Sequence, residues 1–203
     1  MKLYFAPNAC SLAPHIILRE LGLPFELVRV NNQSKRSADG RDFHTINPKG
    51  YVAALVLGNG EVLTEGPAIL QYLADLKPEI RLAPANGSWE RSRLQELLNF
   101  ISSEIHAGSA PLFNAELPEA AKVIFRDKLF KRLDYLSEML GCNDYLRGNF
   151  SIADAYLFTV LGWLPVFAID IAQWPALAGY VERVAARPAV QAALQSEAAS
   201  LPV

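Results

Sequence analysis

The chain has 203 residues, a formal net charge of −2 and 51% hydrophobic residues, enough apolar sequence for one large core or two small ones. So balanced a charge excludes the basic footprint that nucleic acid or an anionic membrane surface requires, and leaves small molecules and proteins as the expected partners. The two cysteines, Cys10 and Cys142, suit neither a disulfide framework nor a zinc site, which fits a reducing cytoplasm.

Residues 3–5 read as a short strand, too brief for the apolar run of about 7–15 residues that a secretory signal needs. A turn follows in Ala9-Cys10-Ser11-Leu12, then a helix with Leu12, Ile16, Ile17 and Leu21 on one side, ending at Gly22 as a left-handed stop. Cys10 lies where the free N–H groups and positive dipole end of that helix point, an arrangement that pulls a thiol from about 8.5 to roughly 3.5–7.5. It is therefore a candidate reactive thiol. His15, on the apolar side of the helix, reads as a hydrogen-bonded core residue, and His44 as a surface one.

Phe25, Leu27 and Val30 suggest a second strand. Residues 54–57 and 62–64 around Gly58-Asn59-Gly60 predict a hairpin, and Pro67 opens a helix through Leu76. Pro78 to Ser88 is loop-like, and everything beyond reads helical. On the helix after the loop, at about 100° per residue, Leu94, Leu97, Leu98, Ile101 and Ile105 form a core stripe, while Asn99, Ser103 and His106 form a separate polar one that faces either water or a site. Ser151-Ile152-Ala153-Asp154 is a capping box ahead of the most apolar helix. The apolar stretch 155–169 is broken by Pro165 and flanked by Asp154 and Asp170, so a buried helix is expected and not a membrane span of about 20 residues.

Five motifs in order, Ala9-Cys10-Ser11-Leu12, Asn47-Pro48-Lys49-Gly50, Thr64-Glu65-Gly66, the stretch from Asn99 to His106, and Phe150-Ser151-Ile152-Ala153-Asp154-Ala155-Tyr156, over a mixed domain followed by a helical one, resemble the glutathione S-transferases of the bacterial beta class. The resemblance implies an α/β thioredoxin-like N-terminal domain that binds glutathione (residues 1–80), a linker (81–87), and an all-α C-terminal domain (88–203) with a hydrophobic site for a small electrophile. It further implies a cytoplasmic homodimer, glutathione as co-substrate, and no cofactor or metal.

The resemblance also implies the site residues. Cys10 and His106 are the catalytic pair. Gly66, at a helix start, suits the γ-glutamyl carboxylate, with Glu65 on the amine. Lys35 would reach the glycine carboxylate, and the Val52 backbone would pair with the cysteinyl part. Asn99, Ser103, Glu104 and His106 would line a cleft between domains, partly from the neighbouring subunit. Glu65 and Gly66 as a plain helix start, and Lys35 as a solvated loop residue, remain open at this point.

The chain departs from the beta-class pattern at three positions. Ala53 stands where the class has a cis proline; because a cis bond before a non-proline costs about 2.5–4 kcal/mol, a trans Val52–Ala53 bond and weakened glutathione affinity are expected. Phe5 replaces a tyrosine, with the phenol displaced to Tyr4 on the opposite strand face, and Ala107 replaces a lysine. Conjugation is the leading function, with Ser11 as an auxiliary donor. The rivals are thiol-disulfide exchange through Cys10, which lacks a resolving thiol because position 13 is alanine, and a non-catalytic binding protein.

Overall fold

The computed structural model describes residues 1–200. Contacts group these into two compact units: Met1–Arg81 together with the chain from Ala186 onward, and Leu82–Ala185.

In the first unit, β1 (Lys2–Phe5), β2 (Glu26–Arg29), β3 (Ala54–Val56) and β4 (Val62–Thr64) form a sheet in the order β2-β1-β3-β4. β1 pairs parallel with β2 and antiparallel with β3, which pairs antiparallel with β4. The parallel pair needs a crossover, and α1 (Leu12–Glu20) supplies it; Gly22, at φ +57°, ends that segment in the left-handed conformation read from the sequence. Alternation along β1 sorts its side chains. Tyr4 and Ala6 pack with Val28, Val30, Phe43 and Val52, whereas the Phe5 ring lies 6.3 Å from His15 of α1. α2 (Gly66–Leu76) carries Ile69, Leu70 and Leu73 into the core.

The last helix, α8 (Pro188–Ala199), belongs to this unit by its contacts with α1, a division unlike the sequence-based one, which assigned all of 88–203 to the helical domain. A buried polar bridge marks the junction. His15 Nδ1 lies 2.9 Å from Glu197 Oε1, and Arg19 Nε donates to His15 Nε2 at 2.8 Å. With Nε2 accepting, Nδ1 carries the proton and donates to the carboxylate. The expectation for His15 holds, and His44 is exposed as expected.

The second unit holds α3 (Trp89–Phe100), a π-helical segment Ile101–His106, α4 (Ala107–Ser109), α5 (Glu119–Leu140), α6 (Ile152–Leu161) and α7 (Pro175–Ala185). α6 is buried at every position, and the capping box explains how so apolar a helix starts in register. The Asp154 carboxylate accepts from Ser151 N–H at 2.8 Å and from Ser151 Oγ at 2.8 Å. Leu146 N–H at 2.9 Å and the Tyr180 hydroxyl at 3.2 Å also donate to it. No helix among the described residues is long and apolar enough to cross a membrane.

Candidate functional site

In the first unit, the loop between β1 and α1 brings Cys10 against the segment leading into β3. The Cys10 thiol donates to the Val52 carbonyl at 3.2 Å, and backbone N–H groups of Cys10, Ser11 and Ala53 reach its sulfur. Three donors favour the thiolate, as the helix-start argument expects. Burial outweighs them and pushes the thiol up from 9.0 to about 11. The expectation of a lowered pKa is therefore corrected: α1 begins only at Leu12, and the half-buried pocket that aims N–H groups at the sulfur also takes part of its hydration away. Ser11 is corrected too. Fully buried, its hydroxyl donates to Ala6 C=O and accepts from Ala6 N–H, each at 3.2 Å, so it ties the end of β1 to α1.

The Val52–Ala53 bond is cis, correcting the expectation of a trans bond. The carbonyls on this stretch are held on both sides of Val52, since Asn47 Nδ2 donates to Tyr51 C=O at 2.6 Å while Cys10 occupies Val52 C=O. Asn47 also accepts from Lys49 N–H at 3.2 Å. Gly50 sits at φ +70°, a left-handed conformation that favours glycine, and a Cβ there would lie 3.0 Å from Nε2 of the exposed His44 ring, which would have to shift slightly.

Lys35 Nζ donates to Gly50 C=O at 3.0 Å, so the ammonium is fixed on the loop that leads to Val52. Glu65 stands immediately before α2 at φ +70°, ψ +115°, a conformation that costs a non-glycine residue about 1–3 kcal/mol. Lys49 Nζ bonds the Glu65 carboxylate and lies 3.1 Å from Thr64 Oγ1. Gly66 opens α2, whose first turn has no acidic side chain and Pro67 at its start, so N–H groups there are aimed at whatever anion arrives. The structure thus joins Cys10 to Val52, fixes Lys35 on the same loop, and places Glu65 beside Gly66.

In the second unit the polar stripe does not stay together. Asn99 and Ser103 are exposed, with Ser103 Oγ donating back to Asn99 C=O at 2.9 Å. His106 is half-buried, its Nδ1 2.7 Å from the Tyr156 hydroxyl and its ring 4.9 Å from that of Trp163. Regular 100° spacing fails because Ile101–His106 is π-helical; the wider turn rotates His106 back from the stripe, and such segments gather at functional positions. Glu104 points elsewhere, to Arg132 at 2.8 Å and Lys128 at 3.8 Å, and these cations hold its carboxyl below the usual range.

Comparison with known proteins is decisive. Family models for the glutathione S-transferase N-terminal and C-terminal domains match residues 9–76 and 100–188. The chain is 46% identical to glutathione S-transferase GstA of Escherichia coli O157:H7 across 97% of this chain and 98% of that one. The chain belongs to the glutathione S-transferase family. Its fold is that of the bacterial transferases, a thioredoxin-like domain plus a helical one. It superposes on BphK, a bacterial transferase solved as a ternary complex, with a TM-score of 0.96 at 52% identity over 98% of this chain and 100% of that one. A beta-class transferase of Sphingomonas chungbukensis gives 0.94 at 45% identity over 97% and 98%. A sphingomonad glutathione S-transferase solved with glutathione gives 0.94 at 47% identity over 98% and 99%.

Two residues of this transferase escaped the sequence reading. Lys49 lies within Asn47-Pro48-Lys49-Gly50, and nothing in that motif signals that its ammonium meets Glu65. Tyr156 follows the capping box, and only the fold shows that its hydroxyl reaches His106. Among the described residues no group of three metal-ligating side chains is present.

Proposed function

We propose that this transferase joins the sulfur of glutathione to the electrophilic carbon of a small apolar co-substrate, with Cys10 acting as a neutral hydrogen-bond donor. The observation that carries the reading is the Cys10–Val52 contact. A thiol raised to about 11 keeps its proton at neutral pH, and its S–H is held toward a backbone edge suited to an extended peptide. When glutathione pairs along that edge, Cys10 S–H turns from the Val52 carbonyl to the glutathione sulfur and stabilises its thiolate. Glutathione's thiol proton leaves to solvent, the thiolate attacks carbon, and the leaving group departs with the electron pair of the broken bond.

Gly66 N–H receives the γ-glutamyl carboxylate in this reading, Glu65 the amine and Lys35 the glycine carboxylate. His106, its ring set by Tyr156, is the second catalytic residue, and Asn99, Ser103 and Glu104 are assigned to the substrate-binding set on the resemblance. A cytoplasmic homodimer is part of the same proposal. Burial of Cys10 disfavours thiol-disulfide exchange as the main activity, because that reaction starts from a thiolate.

Side-by-side assays of a chloronitroarene conjugation and of glutathione mixed-disulfide reduction, for wild type, Cys10→Ala and Cys10→Ser, test the reading. Conjugation is expected to fall in Cys10→Ala and to be retained largely in Cys10→Ser, which keeps a donor. Loss of disulfide reduction in Cys10→Ser, with conjugation unchanged in all three proteins, would replace the proposal with exchange chemistry.

A further inference from the structure

The phenol on β1 leaves the core of the first unit and ends on a charged loop, the segment 31–42, which also carries Lys35. That segment folds back on itself twice. In the first turn Lys35 N–H donates to Asn31 C=O at 2.9 Å and Asn31 N–H to Arg36 C=O at 2.9 Å; in the second, Ser37 N–H donates to Arg41 C=O at 3.0 Å. Lys35 closes the first turn at φ +55°, a left-handed conformation that a non-glycine residue keeps only where its surroundings impose it.

Those surroundings converge on Asp39. Its carboxylate accepts from the Tyr4 hydroxyl at 2.9 Å and from Ser37 Oγ at 2.5 Å, and Arg41 Nε lies 3.6 Å away. The interior strand β1 and both arms of the second turn therefore meet at one side chain. Tyr4 is 1% exposed, and its ring lies 5.8 Å from that of Phe43, whose N–H donates to Lys35 C=O at 2.8 Å. Tyr4 thus holds the loop twice, by its hydroxyl through Asp39 and by its ring through Phe43. Burial, with the Asp39 charge, pushes the phenol up to about 12, so it stays protonated and donates. Burial also raises the Asp39 carboxyl, but hydrogen bonds from Ser37, Tyr4 and the Arg41 N–H outweigh it and keep the group ionised below the usual carboxylate range.

We propose that Tyr4 and Asp39 are positioning residues for glutathione, their hydrogen bond fixing the 31–42 segment so that the Lys35 ammonium, at the Gly50 carbonyl, meets the glycine carboxylate of the tripeptide. The proposal rests on the reading of Lys35 as the partner of that carboxylate. Lysine has a flexible four-carbon stem, so an ammonium whose main chain also moves is spread over more positions and meets the ligand less often. The expected sign runs against simple charge: Asp39 is an anion, and its removal would by Coulomb attraction alone favour an anionic ligand.

Calorimetric titration with glutathione and with its glycine amide, whose terminal group is neutral, tests it. The two ligands share their γ-glutamyl and cysteinyl parts, so the ratio of their affinities reads the Lys35 contact. Wild type is expected to prefer glutathione about fivefold, the scale of one partly exposed ion pair. Tyr4→Phe and Asp39→Ala each cut that preference to about twofold, while Asp39→Asn, which keeps an acceptor for the phenol, retains most of it. Lys35→Met abolishes the preference, and Tyr4→Phe added to Lys35→Met lowers it no further. Asp39 is exposed, so its variants test the same bond without opening the core around Tyr4. A preference that survives or rises in Asp39→Ala, yet is lost in Lys35→Met, overturns the proposal and leaves the reading of Lys35 standing. A preference absent from wild type or untouched by Lys35→Met overturns that reading, and the proposal with it.

Discussion

The surroundings of Cys10 and of His106 are built in opposite ways. Cys10 is set by main chain: the Val52 carbonyl accepts its proton and three N–H groups approach its sulfur. His106 is set by side chains, a phenol at 2.7 Å and an indole ring at 4.9 Å. A backbone-built site depends on local conformation and tolerates many side chains near it. A side-chain-built site depends on the helices that carry those side chains, and so on features far from the imidazole.

The largest effect is expected far from either residue, at Asp154. Tyr156 rides on α6, whose start is held by the carboxylate of Asp154 through four donors. Asp154→Ala leaves those donors buried and unmatched, a loss of about 3–5 kcal/mol in urea unfolding. Burial pushes the Asp154 carboxyl up, against the hydrogen bonds that pull it down. A group with a raised folded-state pKa contributes stability that is fully present below its unfolded value of about 3.9 and lost as pH rises through the folded value. Wild type should therefore outlast Asp154→Asn by the widest margin near pH 4, and the margin should narrow as pH rises. Thermal midpoints measured at several pH values check the sign, and a margin that widens with pH would contradict it.

Next in size is the reactivity of Cys10 itself. A thiol raised from 9.0 to about 11 holds about a hundredfold less thiolate at neutral pH, so iodoacetamide should label Cys10 about a hundredfold more slowly than the cysteine of a short unstructured reference peptide, with a rate that climbs about tenfold per pH step up to pH 10. Mass spectrometry of the two peptides separates them. Equal rates at pH 7 would mean that helix-start donors prevail over burial after all.

This is also where the limits of the sequence lie. The strand, helix and hairpin order of the first unit, the stop at Gly22 and the capping box at Asp154 follow from period, turn residues and cap chemistry, all local properties. The sign of the Cys10 shift is not local. The same α1 start predicts a lower pKa, and only the fold reveals how little water reaches the sulfur. The cis bond at Val52–Ala53 goes against the preference of a non-proline peptide, which no nearby residue announces. The grouping of α8 with the first unit rests on its contacts with α1, among them the His15–Glu197 bridge, 182 positions apart in sequence. His106 left its stripe because one segment adopted a π-helix, for which Ile101-Ser102-Ser103-Glu104-Ile105-His106 carries no recognisable sign.

On the side-chain-built half, Tyr156→Phe removes the 2.7 Å contact to His106 and keeps the ring. One such hydrogen bond contributes about 1 kcal/mol, so kcat is expected to fall about fivefold with KM for glutathione unchanged. His106→Ala combined with Tyr156→Phe should be no worse than His106→Ala alone, since the phenol acts through the imidazole. Additive losses would show that Tyr156 has a role of its own.

The smallest effect tests the backbone-built half at Glu65. Its φ of +70° with ψ of +115° strains any residue with a Cβ by about 1–3 kcal/mol, while glycine adopts it freely at an entropic cost in the unfolded chain of about 0.5–1 kcal/mol. Both Glu65→Gly and Glu65→Ala lose the pair with Lys49, whose side chains are 68% and 48% exposed, so that loss is small and common to the two. Their difference isolates the conformation: Glu65→Gly should be more stable than Glu65→Ala by about 1 kcal/mol in urea unfolding, although both are expected, on the proposed role of the carboxylate, to bind glutathione more weakly. A glycine variant less stable than the alanine one would mean that the strained angle does not persist in solution, and the claim that main-chain geometry shapes this half of the transferase would fall with it.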